Sequence, residues 1–484
     1  MLENNADHTE LVQNILSGAR WVTIFRTSAQ IFSWISTLIV VRFLTPEDYG
    51  LNSMLESPLV IVMLFSTLGL DLALVQRKQL SINELRSTFG FLLILNGLIF
   101  LSFFFGGTLL ASYFNEPRLT LLSKVLAFIF LLIPFRVVPN ALLDRDLNFK
   151  LKAKVELIAS VLTATSTLTL AYLGFGVWSL IIGVLINRTS QALLLMIIKP
   201  WFIWPSFNFE PIWRMMAFGS VLTLSGLFAM TSDMLITLLA GPHIGTEMLG
   251  IYGVAATFAM LPLAKGMPII NQTMVPAFSK FQESRSSSTY YHRKLLGAVT
   301  IIFIPVIIGT ASVAHAFILT IAGSNWEQSI LPLQIMSIGI TFRMSTILYT
   351  PVITSMGRAD LRLKLSVLQL SFLLPLTFIT MDHGVVALMI AWVSTEFIVM
   401  LATIELSKRV IDSSFKHFIA TLTPALLPAL IMAIGINAVK PILINQHLLA
   451  ALLIQVLVGG FIYLLTIRLF FRKQLLITKH AIFG

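Results

Sequence analysis

Ten ionisable side chains stand inside long apolar stretches of this chain. The cations are Arg26, Lys124, Arg136, Arg188, Lys265 and Arg343, and the anions are Glu56, Asp71, Asp233 and Glu396. An ionised group at the centre of a bilayer costs about 2.5–3.5 kcal/mol on insertion scales, so such groups face a bundle interior or a wet cavity. Their chemistry there is charge recognition, with no bond made or broken. Arg26, Asp233 and Lys265 are read as cavity groups. Each of several others has a structural reading beside it: Lys124 snorkels along its alkyl stem, Asp71 pairs with Arg77, and Arg343 pairs with Glu396. Polar stripes accompany the charges. Arg26, Gln30, Ser33 and Thr37 fall on one helical face, as do Gln334, Ser337, Thr341 and Ser345, with Arg343 turned away from the second stripe. Such hydroxyls serve as interhelical glue as often as they bind anything.

Bond-making chemistry finds no support. The chain has no G-x-x-x-x-G-K-[ST] loop and no H-E-x-x-H pair, so no nucleotide, metal or other cofactor is expected. It has no cysteine, which excludes disulfides and thiolate metal sites. A net charge of +11 raises nucleic acid as a partner, but the placement of the basic residues accounts for it otherwise.

The elements that position these groups follow from composition. With 57% hydrophobic and 11% charged residues and a mean hydropathy of +0.89, the chain reads as an all-α polytopic membrane protein. Fourteen stretches are each about the 20 residues that cross a hydrocarbon core of roughly 30 Å. They are predicted at 20–43, 51–74, 87–114, 119–143, 153–173, 176–198, 215–240, 249–277, 295–321, 330–356, 363–381, 384–406, 417–438 and 446–470. Basic residues at the loops and span ends divide 23 to 3 between alternate loops, the minority being Arg42, Arg118 and Lys440. Basic loops stay cytoplasmic, which places both termini there and explains the net charge. Residues 1–19 read as a cytoplasmic lead-in.

The chain also repeats. Glu47–Leu51 returns as Glu247–Ile251, Leu147–Leu151 as Leu361–Leu365, and Gly176–Leu180 as Gly384–Leu388. Two six-helix lobes in parallel pseudo-repeat follow, at 20–198 and 215–406. A cytoplasmic linker at 199–214 joins them, and two further helices with a cytoplasmic tail occupy 407–484. Parallel repeats of this kind are a recurrent plan of secondary transporters.

Local motifs add a resemblance. Arg42-Phe43-Leu44-Thr45-Pro46-Glu47-Asp48-Tyr49-Gly50, Gly69-Leu70-Asp71-Leu72-Ala73-Leu74-Val75-Gln76-Arg77-Lys78, Val138-Pro139-Asn140-Ala141-Leu142-Leu143, Arg145-Asp146-Leu147-Asn148-Phe149-Lys150 and Gly174-Phe175-Gly176-Val177-Trp178-Ser179-Leu180 carry it. The chain resembles the polysaccharide flippases of the multidrug/oligosaccharidyl-lipid/polysaccharide exporter superfamily, in the colanic acid exporter-like branch, over roughly residues 18–410. The resemblance implies a bacterial inner-membrane transporter, not an enzyme. Its substrate would be an undecaprenyl-diphosphate-linked oligosaccharide for lipopolysaccharide O-antigen, capsule or exopolysaccharide, moved by alternating access within membrane lipid. A polysaccharide polymerase and co-polymerase are implied partners. Arg26 and Lys265, with Arg188 and Arg343, would be the cations that meet the diphosphate. Gln30, Ser33, Thr37, Gln334 and Thr341 would face the sugar, and Asp233, Glu56 and Asp71 would couple transport to an ion gradient. A multidrug or metabolite antiporter of the same superfamily is the alternative. A membrane-embedded polymerase or glycosyltransferase fits poorly, because the predicted outer loops are short and their acidic residues unpaired.

Overall fold

Short polar corners punctuate a nearly unbroken series of helices. The computed structural model describes residues 2–77, 79–200, 203–279 and 284–472, with the backbone alone at 2–20, 221–222, 225–226, 228–233, 265, 268–277, 279 and 359. Among the described residues the regular elements are all helical. They are α1 Leu2–Phe43, α2 Pro46–Thr67, α3 Leu70–Gln76, α4 Ile82–Tyr113, α5 Arg118–Arg145, α6 Phe149–Tyr172, α7 Val177–Ile198 and α8 Trp213–Ser279. The series continues with α9 Arg285–Ile321, α10 Ile330–Ser355, α11 Ala359–Thr380, α12 Gly384–Ser407, α13 Phe415–Val439 and α14 Leu448–Phe470.

Twelve segments among the described residues are long and apolar enough to cross a membrane, against the fourteen expected. Two joints account for the difference. Asp360–Ser407 forms one apolar segment, although a 3-10 turn at Met381–His383 and Gly384 at φ 84° divide it into α11 and α12. The 67 residues of α8 cover two expected spans and break at Gly245 (φ 79°, ψ 171°); the apolar segment within it is Met234–Ala264.

The chain forms two compact units, Met1–Leu238 and Leu239–Gly484, so the boundary lies within α8. In the first unit α1 packs on α6, α4 on α5, and α7 on both α5 and α6. A break between α2 and α3 is made by Leu68 (φ 47°) and Gly69 (φ 65°), both left-handed. A Cβ on Gly69 would lie 2.5 Å from the carbonyl oxygen of Gly219, so the backbone of α8 touches this break and only glycine fits. The segment before α8 is tied to α4. Ser206 N donates to Arg86 O (3.0 Å), Arg86 Nε donates to Trp204 O (3.1 Å), and Phe91 meets Phe209 edge to face. In the second unit α10 packs on α12 and α9, α11 on α12, and α13 on α9 and α14.

The corners fix the register of the repeat. Asp146, Leu147 and Asn148 donate backbone hydrogen bonds to Leu142, Asp144 and Leu143; Met356, Gly357 and Arg358 donate to Val352, Thr354 and Ile353. Asn148 and Arg358 also share a backbone conformation (φ −87°, ψ 56° and φ −92°, ψ 55°). The α5–α6 corner therefore recurs 210 positions on, one helical turn away from the Leu147/Leu361 match expected from side chains. A helix presents the same face after one turn, so composition alone tolerates that slip. Gly176 and Gly384, the positive-φ residues that open α7 and α12, keep the expected spacing of 208.

Candidate functional site

The motif residues build corners. Thr45 caps α2, Asp48 returns the capping-box bond to Thr45 N (2.9 Å), and Pro46 occupies the first turn, where its missing N–H is harmless. The second oxygen of Asp48 accepts from Val177 N (2.8 Å) at the start of α7. A Cβ on Gly176 would meet that oxygen at 2.7 Å, which is why glycine precedes the helix. Nearby, Arg118 reaches Glu116 (2.7 Å) and Glu47 (3.4 Å). At the opposite ends of the helices Arg145 donates to the carbonyls of Leu74 and Arg77, and Lys199 pairs with Asp146 at 2.6 Å. These residues carry the resemblance because they hold helix ends together.

The intramembrane charges are arranged differently in the two units. In the second, Arg343 Nη1 lies 3.2 Å from Glu396 Oε1, and Gln369 Nε2 donates to the same oxygen at 3.0 Å. Glu396 is 1% exposed. The expected pairing is present, and α11 joins it. In the first unit Arg136 Nη1 donates to Gln191 Oε1 (3.2 Å), Gln191 to Asn187 Oδ1 (3.0 Å), and Asn187 to Thr163 Oγ1 (3.0 Å). That neutral relay links α5, α7 and α6. Arg188, one turn from Gln191 on α7, lies within electrostatic reach of Arg136, as does Asp71. Arg188 makes no hydrogen bond or ion pair with any described residue, and it is half-buried. Arg136 thus has a second arginine and one carboxylate in its electrostatic surroundings inside the membrane-spanning part of the unit.

The repeat register sharpens this contrast. A spacing of 208 sets Arg188 of α7 against Glu396 of α12. A spacing of 210 sets Arg136 against Thr346, one turn from Arg343 on α10. Equivalent helices carry two arginines within electrostatic reach in one unit and an arginine paired with a glutamate in the other. Arg136 was absent from the cations expected to bind an anion. Its signal was the repeat, read with the corner register and not with side-chain echoes.

The other expected groups are dispersed. Arg26 Nε pairs with Glu156 Oε2 at 3.2 Å between α1 and α6, both side chains more than a third exposed. On its face Gln30 is exposed, and Thr37 donates to Ser33 O (2.8 Å). Glu56 is exposed on α2 and accepts from Asn52 one turn earlier (3.3 Å). Arg77, expected beside Asp71, instead meets Glu84 at 3.1 Å. Lys124 places its ammonium 5.5 Å from the Phe104 ring. The side chains of Lys265 and Asp233 lie outside the described residues. Gln334, Ser337, Thr341 and Ser345 line one groove of about 520 Å³ in the second unit. Three of them donate to backbone carbonyls: Gln334 to Ala311 (3.3 Å), Ser337 to Leu333 (2.8 Å) and Thr341 to Ser337 (3.1 Å). Among the described residues no group of three His, Asp or Glu side chains is gathered to hold a metal.

Twelve long apolar segments among the described residues mark a multi-pass membrane protein, and its fold has solved counterparts. The chain is similar to a solved Lipid II flippase MurJ in an inward closed conformation (TM-score 0.75, 16% identity, 94% of this chain and 99% of that one). It is also similar to an inward-facing multidrug resistance MATE family transporter (TM-score 0.60, 15% identity, 80% and 97%). The family described as Polysaccharide biosynthesis protein matches residues 39–331, and the chain belongs to it. Relatives include the Lipopolysaccharide biosynthesis protein WzxC of Escherichia coli K12 (25% identical, 85% of each chain) and the Teichuronic acid biosynthesis protein TuaB of Bacillus subtilis (24%, 72% and 73%). An uncharacterized membrane protein in the cps region of Klebsiella pneumoniae is 22% identical over 93% of this chain and 94% of its own. The family thus ties the chain to polysaccharide biosynthesis, and a further relative, 23% identical over 70% of this chain and 68% of its own, is the Succinoglycan biosynthesis transport protein ExoT of Rhizobium meliloti.

Proposed function

We propose that the protein turns undecaprenyl-diphosphate-linked oligosaccharide units from the cytoplasmic to the outer leaflet of a bacterial inner membrane, with both its termini cytoplasmic. The observation that supports this reading is the Arg136/Arg188 pair. Two arginines with no ion-pair partner of their own in a low-dielectric setting gain most from a divalent anion, and a diphosphate offers each a bidentate, charge-assisted contact. Asp71, within electrostatic reach of Arg136, is the coupling carboxylate of this reading. Arg26 contributes less, because Glu156 and solvent already satisfy it. The lipid tail stays in the bilayer while the head group crosses, by alternating access of the two halves.

The test uses R136A, R188A and the double variant in the native strain. Each single variant reduces surface polymer, and the double variant abolishes it while lipid-linked intermediate accumulates. Membrane levels of the protein match the wild type throughout. Normal polymer from the double variant overturns the proposal. The shared MATE fold raises a drug-antiporter reading; unchanged drug susceptibility in a deletion strain removes it.

A further inference from the structure

The groove of the second unit follows α13 along its whole length. It is walled by α9, α10, α12 and α13, and its lining runs from Phe415, the first residue of α13, to Lys440, the residue after its last. Twenty-five helical residues rise about 37 Å at 1.5 Å each, a little more than a hydrocarbon core of roughly 30 Å. The walls are apolar. Ile338, Phe342, Ile419, Leu422 and Leu430 face the space, with Ile338 54% and Leu430 46% exposed. Ser337, Thr341 and Ser312 bond back to carbonyls of their own helices, Ser312 to Ile308 O (2.8 Å), and Gln334 is taken by Ala311 O of α9. A sugar would find few donors here. A hydrocarbon chain would find a long dry slot with one side open.

One end of the slot is charged. Asn437 bonds back to Ala433 O (2.9 Å), while Lys440 makes no ion pair or hydrogen bond with any described residue and is half-buried. A lysine at a helix end, at interface depth, beside an apolar slot matches a lipid with a negatively charged head and a linear tail.

We propose that this groove is a binding site for an anionic glycerophospholipid: one acyl chain lies along α13 against α9, α10 and α12, and the phosphate rests on the Lys440 ammonium. A zwitterionic lipid brings its own ammonium to that phosphate and gains less from Lys440. The bound lipid ties α13 to the rest of the second unit. The site is separate from the Arg136/Arg188 pair, and no transport step depends on it.

The full-length protein, purified in mild detergent and exchanged with vesicles of phosphatidylglycerol, phosphatidylethanolamine or undecaprenyl phosphate, tests this by native mass spectrometry. Wild type retains phosphatidylglycerol over phosphatidylethanolamine by about tenfold, the ratio one charge-assisted contact gives. K440A removes the preference while leaving the unfolding midpoint of delipidated protein unchanged. A311F, which fills the slot, removes retention of both glycerophospholipids. Equal retention of the two by wild type, an undiminished preference in K440A, or stronger retention of undecaprenyl phosphate than of phosphatidylglycerol overturns the assignment. Should A311F fail to fold, K440A still decides it.

Discussion

The α5–α7 pair of the first unit and the α10–α12 pair of the second occupy matching places in the repeat and differ in the sign of one charge. Where Glu396 stands in α12, α7 has Arg188. In the second unit the arginine on the neighbouring helix meets a carboxylate at 3.2 Å, and an amide from α11 completes the set. In the first unit the arginine meets only the neutral Gln191–Asn187–Thr163 relay. A buried ion pair is closed on itself and fastens helices. A buried cation that repels its neighbour is an open position, stable only with an anion close by. A charged residue in an apolar stretch is thus a weaker sign of function than a charged residue whose internal partner is missing.

The comparison breaks most forcefully if the second unit's arrangement is written into the first. R188E gives Arg136 a carboxylate partner and places a negative charge where the phosphate is proposed to sit. Like-charge juxtaposition costs several kcal/mol, and each 1.4 kcal/mol is tenfold, so polymer export falls by about a thousandfold or more. The protein itself remains folded, with an unfolding midpoint in detergent equal to or above that of wild type. Quantifying surface polymer beside thermal unfolding separates the two effects. Export near the wild-type level would show that the first unit's open charge is not used.

The second unit answers in the opposite sense. E396Q leaves Arg343 buried without its counter-charge, and breaking such a pair destabilises by about 3–5 kcal/mol. The double variant R343M/E396M replaces both charges with flexible apolar side chains and recovers most of that loss, because a well-packed apolar pair is about as stable as a buried ion pair. The unfolding midpoints of the two variants measure this. A double variant as unstable as E396Q would mean that the charges do more than fasten α10 to α12.

The sequence carried the class and the large-scale plan, and less of the site. Apolar length and composition are enough to place membrane helices, since lipid leaves the backbone few choices. Joints were harder to place. Gly245 lies within one continuous helical run, and Leu68, which takes a left-handed conformation without being glycine, is invisible to composition. The Arg343–Glu396 pair was legible because opposite charges on two buried helices imply each other. Arg26 has a partner that was not among the expected intramembrane anions, Glu156, near the start of the predicted span 153–173. Arg136 and Arg188 could be seen singly. That Arg188 comes within electrostatic reach of Arg136 depends on the rotation of α5 against α7, which a side-chain pattern leaves open by a turn.

The corners offer a finer contrast of the same kind. In the first unit Asp48 serves two helices at once, closing the capping box of α2 and accepting from the first amide of α7. A spacing of 200, which matches Gly50 to Gly250, puts Met248 in its place in the second unit, beside an exposed Glu247. Methionine offers no oxygen to cap α12 as Asp48 caps α7, and the N-cap residue of α12 makes no side-chain cap bond. D48A therefore removes acceptors from two helix starts and lowers stability by about 1–3 kcal/mol, since a single cap is worth about 0.5–2 kcal/mol. E247A stays within about 0.5 kcal/mol, as surface substitutions away from such features do. Unfolding midpoints of the two variants in the same detergent measure the difference. With D48A, polymer export per folded molecule is unchanged, because the corner positions helices and touches no substrate. An export defect larger than the loss of folded protein would move Asp48 from the scaffold into the transport path.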